Sequence, residues 1–541
     1  MHHPRFRARC EPSQSKRMWY RLAATSRVLR YGTGAGCGAA AACIALYHMD
    51  SSFQRSVRFW QLTGPIVAHY SLERWRALDD SDRDVRYKRL HRLYASRARE
   101  VVEELRGMFV KVAQVLSVRP EAVPEEYRLE FRKLQDMAPP ARWEPIRAVL
   151  ERDLGASVAE VFEDIDCEPL GAASIGQAHR VMWRGRPAVV KVQYPDAASM
   201  LWADFRCLEL LLRLVNTEAL VILRQVKQQF SVELDYTSEA NHLQEVYSAF
   251  QVAPEFKDKV AVPEPIPQLT SGSVIGMGYL EGPKLETALR ARLQALGMDV
   301  GQQGIGDWIA AQQRHGITQN FGQEGSKSSE QVPSRGWGLG RWAVRLLGFD
   351  AFFWLTRKMA DARSVQAPEL HSALRLVLDV HGFQLFFCPV FNADPHPGNI
   401  LMMPDGRIGL IDFGQCRRLS SEEKAGLARL LQAVTRPQSP EADREVAEAF
   451  EHTGVKSQHG DREFMALLPR LMFSRLQAEW LQGDIKEVLR RDRIVEFPIH
   501  VVMAYRTAML LRGLCLVLQE NTSIAEAWTP WAERWLNQSG V

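Results

Sequence analysis

The eight cysteines stand at positions 10, 37, 43, 167, 207, 388, 416 and 515, and no two of them form a C-x-x-C pair. That scatter argues against a zinc ribbon or a dense disulfide framework and points to free thiols in a reducing compartment. Long basic blocks are missing beyond the N-terminus, and the net charge is only +4, so no nucleic-acid partner is expected. No G-x-G-x-x-G precedes a lysine-bearing strand. The glycine-dense GWGLGRW at 336–342 follows no strand and opens no nucleotide-binding unit, so it is rejected as a phosphate cradle. Apolar residues, by contrast, make up 46% of 541 positions. That is enough for one large two-lobed domain or two domains with cores of their own.

The first thirty residues carry many arginines, several serines and threonines, and one acid, Glu11. This composition fits an organellar transit peptide, with a disordered basic arm as the alternative. Residues 31–49, YGTGAGCGAAAACIALYHM, are uncharged and rich in small side chains. Their length is close to the ~20 residues that span a bilayer. They form a candidate anchor, and a buried helix or part of the leader are the other readings.

Residues 50–140 read as helices. SRAREVVEELRGMFVKVAQVLSVRP is expected to run as helix to Pro120, a second helix follows Pro124, and the pattern is helical again over about 142–165. EPLGAASIGQAHRVMWRGRPAVVKVQYP then reads as strand, small-residue loop, strand, tight turn at Gly185, strand. Helix is expected over 197–250, and a strand pair after Pro263 and Pro265, ending at VIGMGYLEG. The stretch 301–340 is rich in Gly, Gln and Ser and reads as a disordered insertion. Helix returns over 340–388. FNADPHPGNILMMPDGRIGLIDFGQ predicts two short strands about an Asp405-Gly406 turn, and 420–541 is helical. The apolar run 497–518 alternates with charged stretches and reads as core rather than a membrane span.

The chemistry concentrates in the FNADPHPGN segment. Asp394 and Asn399 form D-x-x-x-x-N, and Asp412 opens a D-F-G further on. Phosphoryl transfer needs such a set: one aspartate for the attacking group, and an asparagine and a second aspartate as hard oxygen ligands for Mg2+ on the phosphates of ATP. Asp394 is the candidate catalytic residue, and Asn399 and Asp412 the candidate metal ligands. Upstream, Lys191 sits inside the apolar AVVKV, where a buried ammonium requires a counter-charge. Glu233 in ELDYTSEANH is the candidate partner, with Asp235 and Glu239 close by, and a solvated charged face is the bland alternative. By order along the chain, Met277 to Leu280 is where an adenine-facing hinge would fall, with Met277 and Tyr279 as its residues. A plain strand end is the other reading. The fold expected is α+β, bilobal and protein-kinase-like, with a helical N-terminal extension and a large helical C-lobe.

At this point the chain resembles the UbiB, or aarF-domain-containing, atypical kinase family over roughly residues 50–520. The resemblance rests on KVAQVLSVRPEAVPEEYRLEFRKLQDMAPP, PLGAASIGQAHR, VVKVQYP, ELDYTSEANH, NADPHPGNIL and IDFG, in family order. It implies that Lys111 and Gln114 belong to a K-x-G-Q extension over the cleft mouth. It further implies that Ala172, Ala173 and Ser174 cover the phosphates, that Lys191 and Glu233 pair, and that Asp235 belongs to an E-x-D motif. The family frame divides the chain into an extension at 50–140, an N-lobe at 141–282, a C-lobe at 283–520 and a tail at 521–541. Ala113 replaces the motif glycine, and Asn392 stands where many members have histidine. The implied function is an Mg-ATP-binding kinase or ATPase supporting coenzyme Q or lipid homeostasis at an organellar membrane, mitochondrial or alternatively plastid. A membrane lipid or quinone precursor and quinone-biosynthesis proteins would be its partners. The rivals are a nucleotide-gated scaffold with little turnover and a protein Ser/Thr kinase, the latter lacking both its glycine loop and an A-P-E signal.

Overall fold

The computed structural model describes residues 47–76, 83–105, 107–117, 123–131, 134, 141–172, 175–195, 197–215, 234–295, 368–475, 484–518 and 520–540, with a few positions between 220 and 227. The transit-peptide expectation, most of the candidate anchor and the expected insertion at 301–340 lie outside these residues. The chain divides into two compact units, 1–237 with 266–279, and 238–265 with 280–541.

In the first unit, helices α1 (Ser51–Arg76), α2 (Arg83–Leu105), α3 (Met108–Ser117) and α4 (Glu125–Phe131) form the extension. The expected run to Pro120 is broken at Gly107, whose φ of 57° is left-handed and ends α2. Phe59, Leu62, Val101, Leu105, Phe109 and Val112 close an apolar seam with Phe205 and Leu208 of α7 (Ala197–Val215). Within that seam the Arg55 guanidinium grips both Asp204 oxygens at 2.7 and 2.9 Å. Between α4 and α7 come α5 (Trp143–Leu154), α6 (Val158–Val161) and strands β1 (Asp164–Ile165), β2 (Gly171–Ala172), β3 (Gly176–Trp183) and β4 (Arg186–Gln193). The expected helix over 142–165 therefore ends in a strand.

After α7 the chain forms α8 (Tyr236–Gln251) and β5 (Val260–Ala261) before returning with β6 (Val274–Gly278). The antiparallel sheet runs β1-β3-β4-β6, with β2 also on β3. The β3–β4 turn has left-handed φ at both Arg184 (52°) and Gly185 (72°), the hairpin geometry that matches strand twist. The strand pair expected after Pro263 and Pro265 is not formed: β5 precedes those prolines and joins a different sheet from β6. Ala188, Val190 and Val192 of β4 bury one face against Ile146, Leu150 and Phe162, as a period of two requires.

The second unit is mostly helical: α9 (Leu285–Ala295), α10 (Pro368–Phe387), α11 (Ser421–Thr435), α12 (Pro440–His452), α13 (Arg462–Phe473), α14 (Asp484–Arg491), α15 (Ile499–Val517) and α16 (Ile524–Ser539). Short strands interrupt it: β7 (Phe391–Asn392), β8 (Ile400–Met402), β9 (Ile408–Leu410), β10 (Cys416–Arg417), β11 (Lys456–Ser457) and β12 (Ile494–Glu496). The β8–β9 hairpin turns at Asp405-Gly406 as expected, with Gly406 at φ 85°, and β5 adds in parallel to β9. Helix α10 is the core rod. Phe383 packs on Phe250, Phe256, Phe387 and Trp531. Trp528 is fully buried and donates its indole N–H to the Leu378 carbonyl at 3.1 Å.

Helix α15 is long and apolar enough to cross a membrane, yet most of it is buried inside the protein, as a core helix would be. Among the described residues, Cys207, Cys388, Cys416 and Cys515 are free thiols.

Candidate active site

In the first unit, β4 points Lys191 to the face opposite Val190 and Val192, and its partners across the sheet are Ala178 and Ile275. The Lys191 ammonium lies 5.2 Å from the centroid of the buried Tyr236 ring, a cation–π distance. The Gln193 side chain donates to the Leu234 carbonyl at 2.8 Å, which ties the start of α8 to β4. Gly176 opens β3 in a tight place: a Cβ there would stand 2.4 Å from the Val192 carbonyl oxygen and 2.6 Å from the Tyr236 hydroxyl.

Ala172 ends β2, exposed, opposite Gln177. Ala173, Ser174 and Glu233 lie outside the described residues, as do the side chains of Lys111 and Gln114 on α3. Ala113, in place of the motif glycine, buries its methyl with Phe131 and Leu134. Asp235 is exposed and accepts the Thr237 N–H at 3.1 Å, starting α8. Met277 is buried within β6, paired with Val189. Tyr279 follows it, donates its N–H to the Pro187 carbonyl at 3.2 Å and lies under the Arg180 guanidinium at 4.7 Å. The Tyr279 amide is therefore committed within the unit.

In the second unit the motif residues fall on one loop–hairpin–turn. The 3-10 turn Pro397–Asn399 leads into β8, and the Asn399 carbonyl accepts the Ile411 N–H at 3.1 Å, so Asn399 sits across the hairpin from the residue before Asp412. Asp412 folds back on its own turn, accepting the Gly414 N–H at 3.0 Å. Glu239 lies in the first turn of α8. It is buried, and a Cβ on Gly414 would meet its carboxylate at 3.5 Å. His242 of the same helix reaches the Phe413 carbonyl at 3.2 Å. Burial, and after it the charges of Asp412 and Glu239, hold the Cys416 thiol well above its ordinary pKa.

Asp394 is contacted by Arg506 of α15 at 3.3 Å, and the same guanidinium donates to the Gln415 side chain at 2.9 Å. Asn399 and Asp412 offer an amide oxygen and a carboxylate, the hard donor set that magnesium takes beside phosphate oxygens. Gly398 keeps the turn before them narrow, since a Cβ there would stand 2.9 Å from His396 Nδ1.

Sequence reasoning missed two groups. Arg506 carries no local motif. Gln177, within SIGQAH, is 1% exposed and brackets the Ala141 backbone, accepting its N–H at 2.8 Å and donating to its carbonyl at 3.3 Å. It also donates to His179 Nε2 at 2.9 Å, while Nδ1 of that ring faces the Asp166 carbonyl at 2.8 Å. An acceptor on one side and a donor on the other fix the neutral Nδ1–H tautomer, and burial lowers the His179 pKa in the same sense.

The family pattern described as the ABC1 atypical kinase-like domain matches residues 133–316 and 357–444, half of the chain. An uncharacterized Synechocystis protein is 24% identical over 454 residues, 81% of this chain and 55% of that protein. The chloroplastic protein ACTIVITY OF BC1 COMPLEX KINASE 3 of Arabidopsis thaliana is 25% identical over 80% of this chain and 52% of its own. AarF domain-containing protein kinase 1 of Gallus gallus is 30% identical over 219 residues, 39% of this chain and 41% of its own. The chain spans about half the length of these relatives. Among solved structures, a Mycobacterium tuberculosis protein in complex with erythromycin matches at TM-score 0.41 and 21% identity, over 85% of this chain and 98% of that one. The aminoglycoside phosphotransferase APH(4)-Ia matches at 0.19 and 13%, over 65% and 95%. The sheet with its lysine strand, the helical second unit with its D-x-x-x-x-N loop and DFG turn, and the family match agree: this chain belongs to the ABC1 atypical kinase-like family and has its α+β kinase-like fold.

Proposed function

We propose that this chain is an atypical kinase-type ATPase that binds Mg-ATP and serves lipid or quinone metabolism at an organellar membrane. The observation that carries the nucleotide reading is the second unit's hairpin, which sets Asn399 across from Ile411, the residue before Asp412, with Asp394 on the loop that enters it. Magnesium bound there would neutralise charge on the phosphates. Asn399 and Asp412 would hold it through oxygen, Asp394 would orient the attacking hydroxyl or water, and Lys191 would meet the phosphates from its strand. Glu239, buried at the DFG turn, is the described helical glutamate best placed to fix that turn. The chloroplastic names of several relatives support the plastid alternative for location. Carbonate extraction of organelle fractions tests membrane anchoring.

A second reading, a nucleotide-gated scaffold with little turnover, is favoured by the Arg506 guanidinium on the Asp394 carboxylate. Magnesium-dependent ATP binding and ATP hydrolysis, measured for the wild type and Asp412→Asn, separate the two. Binding with hydrolysis that the substitution lowers by at least about a hundredfold, the scale of one lost transition-state contact, supports the enzyme. Binding without hydrolysis, lipid vesicles included, supports the scaffold. A wild type with neither refutes both.

A further inference from the structure

The structure assigns to Asn392 the role of a positioning residue that ties the loop bearing Asp394 to the turn bearing Asp412, a role that rests on the proposed function. Asn392 ends β7, pairs with Cys416 of β10 and is 8% exposed. Its side-chain nitrogen donates to the Asp412 carbonyl at 2.8 Å, and its side-chain oxygen accepts the Asp394 N–H at 3.0 Å. A carbonyl only accepts and an N–H only donates, so the amide has one permitted orientation. Its own N–H faces Gln384 of α10 at 3.4 Å, which anchors it from the core side. Both contacts are to main chain. They fix where the two aspartates leave the backbone and engage neither carboxylate.

Arg506 spans the same two segments through side chains, from Asp394 to Gln415. Its side chain is 43% exposed and its reach to Asp394 is longer. Of the two ties, Asn392 is therefore the one shielded from water, where an unmade hydrogen bond costs most. Alanine would remove the donor and the acceptor together, aspartate would keep an acceptor only, and neutral histidine would again offer one of each.

The test uses the full chain as wild type, Asn392→Ala and Asn392→His. Hydrogen–deuterium exchange without nucleotide reads the tie directly. The peptides covering 392–399 and 411–416 should exchange at least about tenfold faster in Asn392→Ala, the equivalent of one lost hydrogen bond, and return toward wild type in Asn392→His at pH 8. Calorimetry with Mg2+ and ATP reads the consequence. The magnesium concentration for half-maximal binding should rise about tenfold in Asn392→Ala, while ATP binding without magnesium is unchanged. A wild type that binds Mg-ATP beside an Asn392→Ala variant with unchanged exchange or unchanged magnesium dependence overturns the assignment alone. A wild type that binds no Mg-ATP removes the proposed function and the positioning role together. If Asn392→Ala does not fold by circular dichroism, Asn392→Asp takes its place with the same expected directions.

Discussion

Gly176 has no room for a methyl group, because main-chain oxygen on one side and the Tyr236 hydroxyl on the other already stand where a Cβ would go. Backbone cannot rotate away as a flexible side chain can, so overpacking here costs about 1–3 kcal/mol. Gly176→Ala should lower the thermal midpoint, and Tyr236→Phe in the same chain should recover part of the loss; an unchanged midpoint would contradict the geometry. At this scale the sequence was informative where the signal is local. Asp394, Asn399 and Asp412 declare themselves by spacing, and Lys191 by a charge inside an apolar strand. Where α8 starts within ELDYTSEANH was not readable, and Asp235 sets that start by accepting the Thr237 amide. Glu239 then falls inside the helix. Gln177 and Arg506 were invisible because their partners, Ala141 and Asp394, lie far off in the chain.

Helices in the second unit end on buried arginines. Arg512 of α15 is fully buried and donates to the Leu471 carbonyl at 3.0 Å and to the Met472 carbonyl, both in the last turn of α13. Burial lowers its pKa to about 10, so it remains a cation at neutral pH, facing the negative end of a helix. Arg470 does the same for α11, donating to the Val434 and Arg436 carbonyls while paired with Asp443. Arg512→Met should destabilise the second unit by about 3 kcal/mol, since two buried carbonyls lose their donor. Chemical denaturation reads the loss, and a change within 0.5 kcal/mol, the usual surface scale, would show that water replaces the guanidinium. Element types were mostly legible from periodicity. Their breaks were not: Gly107 interrupts a pattern that is helical on both sides, and β5 is too short to show alternation.

For the molecule as a whole, acid should weaken the fold through its buried imidazoles. His381 on α10 faces the Val377 carbonyl at 2.8 Å, and burial lowers its pKa from 6.5 to about 4. Between those values the unfolded chain takes up a proton that the folded one refuses. Stability is therefore intact above about 6.5, falls as pH drops toward 4, and owes about 3 kcal/mol of that fall to this one group. His91, His179 and His500 are lowered in the same direction by burial. Denaturation of wild type and His381→Gln across pH 4–7 isolates the effect: the stability difference should shift in favour of the variant as pH falls, and parallel curves would rule it out.

The first unit is assembled from two separated pieces of chain, and its sheet shows what that costs in time. β4 pairs Ala188 with Gly278 and Val192 with Val274, so the edge of β4 stays unfilled until α7, α8 and β5 have been threaded past it. Contacts this distant in sequence close slowly, because loop entropy is lost before any pairing is gained. Until β6 arrives, the open edge of β4 presents a row of unpaired amides and carbonyls flanked by valines, a template for any passing strand. A fragment cut at Thr237 would retain the lysine strand yet carry that edge permanently. Self-association during refolding is thus built into the order in which this chain returns to its own sheet.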